Sequence, residues 1–340
     1  MELFFSIITP CYNRQDEILF LIDSIINQSV SPNQYELIIV DDGSTDNSRN
    51  IIENKIIDSN INIRLITQIN KGPGAARNNG MKNANGNFYL FIDSDCEADK
   101  NWLLEIIKKY KKIKFDAFGG PDSFKDNFSD LQKSIDFSMN SFFTTGGLRG
   151  SGYKRLAKFY PRSHNMGIKS SIFQKIGGFG KLRHGQDIEF SNRIINNGYN
   201  VNFLSNAIVY HRRRTSLKKF FKQVFNWGVA RINLGVIDKK MLETLHYIPS
   251  LATFSIFFLI IGSFFQTYFF LTILLILFLF LIIVSVFGSI KIKSFKSFFL
   301  LLLIIPIQIF GYGMGFIYNF INRFIFKKNE FIGFRKKYYN

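Results

Sequence analysis

Two carboxylates in this sequence are spaced so that one cation could bind both. Asp93-Ser94-Asp95 follows the apolar stretch that begins at Phe88. Residues i and i+2 of an extended segment share a face, so both side chains can point at the same ion. Hard oxygen ligands suit Mg²⁺ or Mn²⁺, which bind few carboxylates together with substrate phosphate. Turns are also rich in Asp, so this motif by itself is compatible with either a metal site or an ordinary turn.

A third carboxylate and a histidine could act beside such a cation. Asp187 lies in the segment Gly185–Phe190, ahead of a predicted helix that carries Arg193. A carboxylate near the cation but not bound to it could serve as a general base, and capping of the helix is the alternative. His211 follows the apolar stretch Ala207–Tyr210, which predicts a strand. At a strand end it could be a metal ligand or a structural histidine.

Two loops carry groups that suit a nucleotide. The first, Asp41-Asp42-Gly43-Ser44, ends a predicted strand, and its carboxylates could accept hydrogen bonds from a base or a ribose. A turn that caps the next helix is the alternative. The second, Asn70–Asn78, is a glycine-bearing turn that runs into a helix. There the helix N-terminus and Arg77 could face an anionic diphosphate, unless the segment is an ordinary loop with a solvated arginine.

These residues need elements that bring them together, and the N-terminal part of the sequence has a repeated pattern that does so. Short apolar runs that predict strands alternate with helical periodicities. The predicted strands are Phe4–Thr9, Glu36–Asp41, Ile61–Thr67 and Phe88–Asp93. The predicted helices are Asp16–Gln28, Asp46–Asp58, Gly74–Ala84 and Lys100–Lys112. The pattern predicts an α/β fold, a mostly parallel sheet with helices on both faces, which binds ligands beyond the carboxyl ends of its strands.

The composition of the 340-residue chain excludes several classes of protein. Hydrophobic residues make up 47%, which excludes a disordered chain, and two cysteines cannot form a disulfide scaffold. The net charge of +18 could indicate a nucleic-acid partner. However, the basic residues crowd beside long apolar segments, where an excess on the cytoplasmic side of a membrane is expected. We therefore expect no nucleic acid among the partners.

The C-terminal part of the sequence predicts membrane spans. Pro249–Ile290 contains no charged residue. As a helix this run would extend about 63 Å, enough for two crossings. Its least apolar point, at Gln266, predicts a hairpin. A second uncharged run, Ser297–Asn322, predicts a third span, although Pro306 and the glycines after it would also allow a broken or re-entrant segment.

Positive charges predict how these spans are oriented. Cations precede the first span and fill the loop between the second and third, whereas the hairpin is uncharged. The positive-inside rule then places the N-terminal domain in the cytoplasm, on a multi-pass protein of the cytoplasmic (inner) membrane in contact with membrane lipids. The side of the basic tail after Asn322 stays open. Residues 217–234 have an apolar stripe opposite Lys218, Lys219 and Lys222, which predicts an interfacial amphipathic helix or a core helix of the soluble domain.

Taken in order, the motifs resemble those of the family-2 inverting glycosyltransferases of the GT-A fold. The resemblance covers about residues 4–235. It rests on Pro10-Cys11-Tyr12-Asn13, Asp41-Asp42-Gly43-Ser44, Asn70 to Asn78, Asp93-Ser94-Asp95, Gly177-Gly178-Phe179, Gln186-Asp187 and His211. It implies a nucleotide-sugar donor, usually a uridine or guanosine diphosphate sugar, and a divalent cation, Mg²⁺ or Mn²⁺.

The resemblance also implies roles for individual residues. Those expected to bind the nucleotide-sugar are Pro10, Tyr12, Asp42, Arg77 and Asp93. Those expected to bind the metal are Asp95 and His211. Those expected on the acceptor side are Asn165, Gly178, Gln223 and Trp227. Asp187 is expected to be the catalytic base.

The sequence departs from the family at two places. The family usually has Glu-Asp where this chain has Gln186-Asp187, so the base is retained and the carboxylate before it is lost. Membrane polysaccharide synthases often carry Gln-x-x-Arg-Trp, whereas the nearest match here is Gln223-Val-Phe-Asn-Trp227, without the arginine. This favours an enzyme that adds single sugars during exopolysaccharide or glycolipid assembly over a processive synthase.

The resulting hypothesis is an inverting transferase that moves a sugar, preferably from a UDP-sugar, to a hydroxyl of a membrane-associated glycan or a lipid-linked acceptor. A polyprenyl-phosphate sugar synthase is the alternative among enzymes, and a catalytically silent membrane module that binds nucleotide-sugars is the alternative outside them. Four regions are predicted: a nucleotide-sugar-binding half at 1–115, an acceptor-binding and catalytic-base half at 116–215, an interfacial helix region at 216–247, and a transmembrane region with a basic tail at 248–340.

Overall fold

The computed structural model describes residues 3–145, 158–329 and 333–334, and these form two compact units. The α/β unit contains residues 3–125 and 159–212. The helical unit contains residues 126–145, 158, 213–329 and 333–334. Residues 126–145, which the sequence assigned to the acceptor-binding half, therefore group with the helical unit.

Ten strands belong to the α/β unit. They are β1 Phe5–Cys11, β2 Tyr35–Asp41, β3 Asn62–Thr67, β4 Phe88–Phe91, β5 Cys96–Ala98, β6 Ala117–Gly119, β7 Asp122–Ser123, β8 Met166–Lys169, β9 Val201–Phe203 and β10 Val209–His211. Seven of them form a sheet of order β3-β2-β1-β4-β8-β6-β9, in which β8 alone runs antiparallel to its neighbours. The other three form a small sheet of order β5-β10-β7.

Twelve α-helices are distributed over the two units. They are α1 Ile18–Ile26, α2 Ser48–Ile57, α3 Pro73–Lys82, α4 Trp102–Lys112, α5 Asp130–Asn140, α6 Phe142–Thr145, α7 Ser170–Ile176, α8 Gln186–Asn196, α9 Leu217–Ile237, α10 Ile248–Gly262, α11 Thr267–Ile292 and α12 Phe295–Phe320. The last continues into a π-helical turn, Ile321–Ile325, and short 3-10 helices lie at Pro32–Gln34, Lys239–Met241 and Thr244–Tyr247.

The large sheet has helices on both faces, as the sequence predicted. Alternate side chains of one strand point to opposite faces, so Ile7 and Ile8 of β1 enter different cores. The core around Ile7 is completed by apolar residues of α1, α2 and α4. The core around Ile8 is completed by residues of α3, α7 and α8. The four predicted strands and four predicted helices are all present, with ends within two residues of those predicted. The predicted fold class is confirmed.

Three helices of the helical unit are long and apolar enough to cross a membrane. They cover Thr244–Gly262, Tyr268–Ile292 and Phe295–Ile325. The turn between α10 and α11 contains Gln266, where the sequence predicted a hairpin. The break that Pro306 would allow is not used, because α12 is one continuous helix from Phe295 to Phe320.

The glycines of α12 serve close helix packing instead of a break. A side chain at Gly315 would collide with the backbone of Phe225 in α9, and one at Gly228 in α9 would collide with the backbone of Tyr312 in α12. Only residues without a Cβ allow two helix backbones to approach this closely. The glycines after Pro306 thus join α12 to a helix distant in sequence.

Helix α9 covers the predicted amphipathic segment, and the structure shows what its two sides contact. Phe220 and Val224 are fully buried in a cluster with residues of α5 and α12. The apolar side, predicted to lie in the membrane interface or on the soluble domain, therefore packs within the helical unit. The lysines Lys218, Lys219 and Lys222 are exposed. The helix is amphipathic as predicted, but protein covers its apolar side.

Candidate active site

The turn after β4 places Asp93 and Asp95 at the carboxyl edge of the large sheet. The backbone N–H of Cys96 donates to the Asp93 carbonyl at 3.0 Å, which closes the turn and starts β5. Strand β10 pairs antiparallel with β5 so that His211 lies opposite Cys96. This register brings His211 Nε2 to 3.3 Å from Asp95 Oδ1. The two predicted metal ligands therefore meet, although 116 positions separate them in the sequence.

Two residues that the sequence analysis did not select complete this group. Asp122 of β7 lies beside β10, and its Oδ2 is 3.7 Å from His211 Nδ1 and 3.5 Å from His164 Nε2. The His164 and His211 rings are 5.3 Å apart. We call Asp95, Asp122, His164 and His211 the Asp95 cluster. No sequence spacing signals Asp122 or His164, because pairing of β7 with β10 brings Asp122 to His211 and His164 lies in the loop before β8.

The donor atoms of the Asp95 cluster fit a divalent cation. One oxygen or nitrogen each from Asp122, His164 and His211 lies within 4.8 Å of the others, and the same holds for Asp95, His211 and the Cys96 sulfur. Both carboxylates are buried, so their charges are poorly solvated unless a cation or a cationic side chain lies beside them. Mixed carboxylate and imidazole donors suit Mn²⁺ or a similar ion.

Arg14 is a further charged residue at this edge. Its guanidinium is 3.3 Å from Asp95 Oδ2, and the negative charge of Asp95 raises the pKa of Arg14. The Arg14 backbone N–H donates to Ser48 Oγ at 2.7 Å, which joins the end of β1 to the start of α2. The signal that could have identified Arg14 is its position directly after the Pro10–Asn13 motif, at the carboxyl end of a predicted strand.

Asp42 is buried and organises the loop expected to contact the nucleotide. Its Oδ1 accepts hydrogen bonds from the Gln68 amide at 2.7 Å and the Lys71 backbone N–H at 2.8 Å, and its Oδ2 accepts from Gly72 N–H at 2.8 Å. Gly43 has a φ of 77°, a conformation that favours glycine, and lies against the backbone of Asn70. The Asp41–Ser44 turn and the glycine-bearing loop are thus one structure.

Arg77 lies on α3 and is bound to the first aspartate of the Asp-x-Asp motif. It donates a hydrogen bond to Asp93 Oδ1, and its guanidinium lies 5.3 Å from the centre of the Phe179 ring. The Arg77 side chain is buried, whereas the Asp93 carboxylate is 28% exposed. Two of the five residues predicted to bind the nucleotide-sugar are therefore held together, with the Asp93 carboxylate open to solvent or a ligand.

Asp187 lies in the first turn of α8, beside the Asp95 cluster but outside it. Burial by itself raises the pKa of this carboxyl group. The positive charge of Arg162, followed by His164 and Arg77 and a hydrogen bond from the Ile188 N–H, outweighs burial, so the pKa lies below its usual range. Arg162 Nη1 is 3.7 Å from Asp187 Oδ2. Asp187 is therefore ionised at neutral pH and able to accept a proton.

The turn that contains Gly178 is bound to α3. The Asn78 amide donates to the Phe179 carbonyl at 2.9 Å and accepts from the Phe179 N–H at 2.8 Å. A side chain at Gly178 would collide with Asn78, and one at Gly74 would collide with Gln186. The start of α3 thus lies against Gln186, the residue that replaces the usual glutamate, and the middle of α3 lies against the Gly177–Phe179 turn.

Asn165, which the resemblance places on the acceptor side, is hydrogen-bonded inside the protein, and its role toward an acceptor stays a prediction. The residue is fully buried. Its amide donates to the carbonyls of Pro121 and Ala207 at 2.8 and 2.7 Å and accepts from Trp102 Nε1 at 3.0 Å. These bonds use the side chain to join three segments under the Asp95 cluster. Asn165 is a structural residue beside His164.

The remaining predicted residues lie at the end of β1 and on α9. Pro10 is buried in β1 opposite Val40 of β2, and Tyr12 follows that strand half-buried. Gln223 and Trp227 belong to α9 in the helical unit, where both are half-buried and Trp227 contacts the cluster around Phe220. Their roles toward nucleotide and acceptor remain predictions.

The chain is similar in sequence to known glycosyltransferases and similar in fold to solved ones. A relative in Methanococcus voltae, dolichyl N-acetyl-alpha-D-glucosaminyl phosphate 3-beta-D-2,3-diacetamido-2,3-dideoxy-beta-D-glucuronosyltransferase, is 28% identical over 236 residues, which cover 67% of this chain and 73% of the relative. The mannosyltransferase PcManGT from Pyrobaculum calidifontis, solved with GDP-Man and Mn²⁺, has a TM-score of 0.58 at 17% identity, over 73% of this chain and 70% of that one.

A second solved structure has a similar fold. The S. aureus protein TarS, residues 1–349 with UDP-GlcNAc, has a TM-score of 0.51 at 21% identity, over 72% of this chain and 73% of that one. These likenesses show the GT-A-like fold of the α/β core. The sequence model for glycosyl transferase family 2 matches residues 6–177, half of the chain. The chain therefore belongs to glycosyl transferase family 2.

Proposed function

We propose that this glycosyltransferase moves a sugar from a UDP-sugar to a hydroxyl of a membrane-associated glycan or lipid-linked acceptor, with inversion at the anomeric carbon. Its family membership makes it a transferase that uses a nucleotide-sugar donor. The observation that carries the finer proposal is the position of Asp187. An ionised carboxylate lies beside a group of side chains that could hold a metal ion, without being one of them.

Asp187 supplies the base for a single displacement. The acceptor hydroxyl gives its proton to the Asp187 carboxylate while its oxygen bonds to the anomeric carbon, and the bond from that carbon to the diphosphate oxygen breaks. Attack from the face opposite the leaving group inverts the configuration. Arg162 keeps the carboxylate ionised before the step. A positioned base contributes about 10²–10⁴-fold to the rate.

The Asp95 cluster is where a divalent cation, Mg²⁺ or Mn²⁺, would be held, with Asp95 and His211 as the predicted ligands and Asp122 and His164 as further donors within reach. Such an ion, when bound, neutralises the negative charge that grows on the departing diphosphate. The Mn²⁺ in the PcManGT complex supports this assignment. The chain's own contribution is to hold the buried Asp95 and Asp122 carboxylates each close to one ring nitrogen of His211.

The nucleotide would lie along the carboxyl ends of β1, β2 and β4. Pro10 and Tyr12 would line the base pocket, Asp42 would contact the base through the loop it organises, and Asp93 would lie near the ribose. Arg77 Nε is buried without a hydrogen-bond partner among the described residues, which leaves a donor close to where the diphosphate would lie. The UDP-GlcNAc complex of TarS supports a uridine donor, and the GDP-Man complex of PcManGT makes guanosine the competitor.

The acceptor is proposed to be presented at a membrane. Three helices could span a bilayer, and the Methanococcus voltae relative is named for a dolichyl phosphate-linked acceptor. The chain would be a multi-pass protein of the inner membrane, with the catalytic domain and the Lys291–Lys296 loop in the cytoplasm and the lysines of α9 toward anionic headgroups. The acceptor-side roles that the resemblance gives to Gln223 and Trp227 of α9, and separately to Gly178, stay part of this proposal.

The first test is nucleotide binding to the purified protein, measured by calorimetry for UDP and GDP with and without Mn²⁺. Tighter binding of UDP that depends on Mn²⁺ is the expected result, and a preference for GDP would refute the uridine donor. The second is the anomeric configuration of the product, read by NMR from a labelled donor. Retention of configuration would refute the role given to Asp187, and transfer to a bare polyprenyl phosphate would favour the polyprenyl-phosphate sugar synthase.

A further inference from the structure

An uncharged segment lies within the part of the chain that the sequence assigned to the acceptor-binding half. Residues 137–148 contain no charged side chain. Their described part covers the end of α5 and the short helix α6, and it belongs to the helical unit. Two adjacent aromatic residues, Phe142 and Phe143, are 52% and 55% exposed. Large apolar side chains that stay half exposed side by side mark a surface that contacts something apolar.

The ring contacts of this segment lead to α11. Phe143 lies 6.4 Å from the Phe280 ring and 6.1 Å from the Phe287 ring, and Phe137 lies 6.2 Å from Phe287. The Lys291 ammonium lies 6.0 Å from the centre of the Phe137 ring. The segment therefore follows α11 from its basic end toward its middle.

The length of α11 indicates the depth at which these contacts occur. Its 26 residues extend about 39 Å, against about 30 Å for the hydrocarbon core of a bilayer. If α11 spans with its ends at the two interfaces, Phe287 and Phe280 lie about 8 and 18 Å from its Ile292 end. Both positions are inside the hydrocarbon, and the Phe143 side chain lies between them.

The backbone and polar groups of the segment suit that environment. The hydroxyls of Thr144 and Thr145 donate to the Ser141 carbonyl at 3.2 and 2.9 Å, and Ser141 Oγ accepts from the Phe143 N–H at 3.3 Å. Ser138 Oγ donates to the buried Gln308 side chain of α12 at 2.6 Å. Without water, such groups must be satisfied within the protein, and here neighbouring hydroxyls and an amide do so.

We propose that α6 and the end of α5 insert into the bilayer beside α11, with Phe142 and Phe143 in contact with the acyl chains of the leaflet that holds the Lys291 end. The occupant of this surface is lipid, because the surface continues the apolar side of α11 and the contacts place it below the interface. The inference rests on the proposed membrane location. The chain would then be anchored by α6 and the end of α5 as well as by its spans.

The test compares spin labels at three single cysteines in the full chain in liposomes. Phe143→Cys reports on the proposed surface, Leu275→Cys, at an exposed position of α11, reports on the span, and Ile57→Cys, exposed on α2, reports on water. Cys11 and Cys96 are buried, and burial raises the pKa of Cys11 to about 12, so the native thiols label poorly. Accessibility to O₂ and to a water-soluble nickel complex is measured by power-saturation EPR.

The expected result is that the label at 143 is accessible to O₂ and protected from nickel, like the label at 275 and unlike the label at 57. Nickel accessibility at 143 with a lipid-exposed 275 would overturn the inference and leave the proposed membrane location standing. Nickel accessibility at 275 would refute the membrane location itself. Protection of 143 from both reagents would show a protein partner on this surface and would also overturn the inference. Phe142→Cys repeats the measurement if the 143 variant misfolds.

Discussion

The buried polar contacts at the sheet edge of the α/β unit differ from those between the long helices of the helical unit. The α/β unit buries charges at the carboxyl edge of its sheet, where Asp95 lies against Arg14 and His211. The helical unit buries neutral amides between its long helices, where the Asn319 amide donates to the Val229 carbonyl and to Asn233 at 2.8 and 3.0 Å. Charges can be kept at an edge that a solvated ligand reaches, whereas between apolar helices a neutral hydrogen-bonded group costs far less.

A buried ion pair of the helical unit involves Arg213, which follows β10 by two residues in the sequence. Arg213 donates two hydrogen bonds to Asp136 Oδ1, at 3.0 and 2.8 Å, and its carbonyl accepts from the Gln132 amide at 3.0 Å. The pair joins α5 to the chain just before α9. Because removal of one partner leaves a buried charge alone, we expect this pair to be needed for folding instead of for chemistry.

The largest effect should come from removing the charge at Asp187. Asp187→Asn keeps the shape of the side chain but cannot accept the proton, so we expect kcat to fall by about 10²–10⁴-fold, or about 3–5 kcal/mol. Binding of UDP, measured by calorimetry, should be unchanged. Glu53→Gln, which removes an exposed carboxylate paired with Arg49, is the matched control and should retain full activity. Full activity of the Asp187 variant would refute the base.

The Asp95 cluster should be needed for metal binding in a graded way. We expect His211→Ala to abolish detectable Mn²⁺ binding in an EPR titration, because His211 contacts both carboxylates. Asp122→Asn should lower Mn²⁺ affinity by about 10–100-fold, the range for a residue that orients a ligand. An equal loss of Mn²⁺ affinity in both variants would show that Asp122 is a direct ligand. Unchanged Mn²⁺ affinity in both variants would refute a metal site at the Asp95 cluster.

In the helical unit, the largest expected effect is on stability. Gly315→Val places a side chain against the α9 backbone, and overpacking of this kind costs about 1–3 kcal/mol or more. We expect a lower midpoint of thermal unfolding in detergent, followed by circular dichroism. Leu275→Ala, which shortens an exposed side chain of α11, should leave the midpoint nearly unchanged. An unchanged unfolding midpoint for Gly315→Val would show that the packing of α9 on α12 does not depend on this contact.

A smaller effect is expected on the pH dependence of activity. The Arg162 charge lowers the pKa of Asp187, and the reaction needs the ionised form. In Arg162→Gln the pKa of Asp187 should rise, so that Asp187 becomes protonated at a higher pH. The acid limb of the kcat/KM profile should therefore shift to higher pH. Arg49→Gln, at an exposed pair, should not move the limb. A limb that stays in place in the Arg162 variant would mean that another group controls it.

The smallest effect belongs to the amide contact between α9 and α12. A double-mutant cycle with Asn233→Ala and Asn319→Ala should show a coupling of about 0.6 kcal/mol, typical of polar contacts between membrane helices. Unfolding in detergent measures each variant. A coupling free energy of several kcal/mol would instead show that this amide pair contributes as much to stability as a buried ion pair does.

Much of the fold and part of the site were predictable from local patterns. Period-2 and helical periodicities predicted the first four strands and helices, and hydropathy predicted the apolar helices of the C-terminal part. The order of motifs predicted the family and brought Asp93, Asp95 and Asp187 into one proposed site. These features depend on neighbouring residues in the chain, and the physical rules for strand ends and apolar runs act over that range.

The sequence by itself therefore determined the α/β class, the family and the residue types of the chemistry. Only the tertiary structure decided which side chains meet. Asp122 reaches His211 because β7 pairs with β10, His164 reaches both from the loop before β8, and Asn165 forms hydrogen bonds with three distant segments. The tertiary structure also decided that α5 packs on α11 and α12, and that the glycines of α12 serve packing with α9. Long-range pairing and close packing depend on residues far apart in the chain, and no local pattern encodes them.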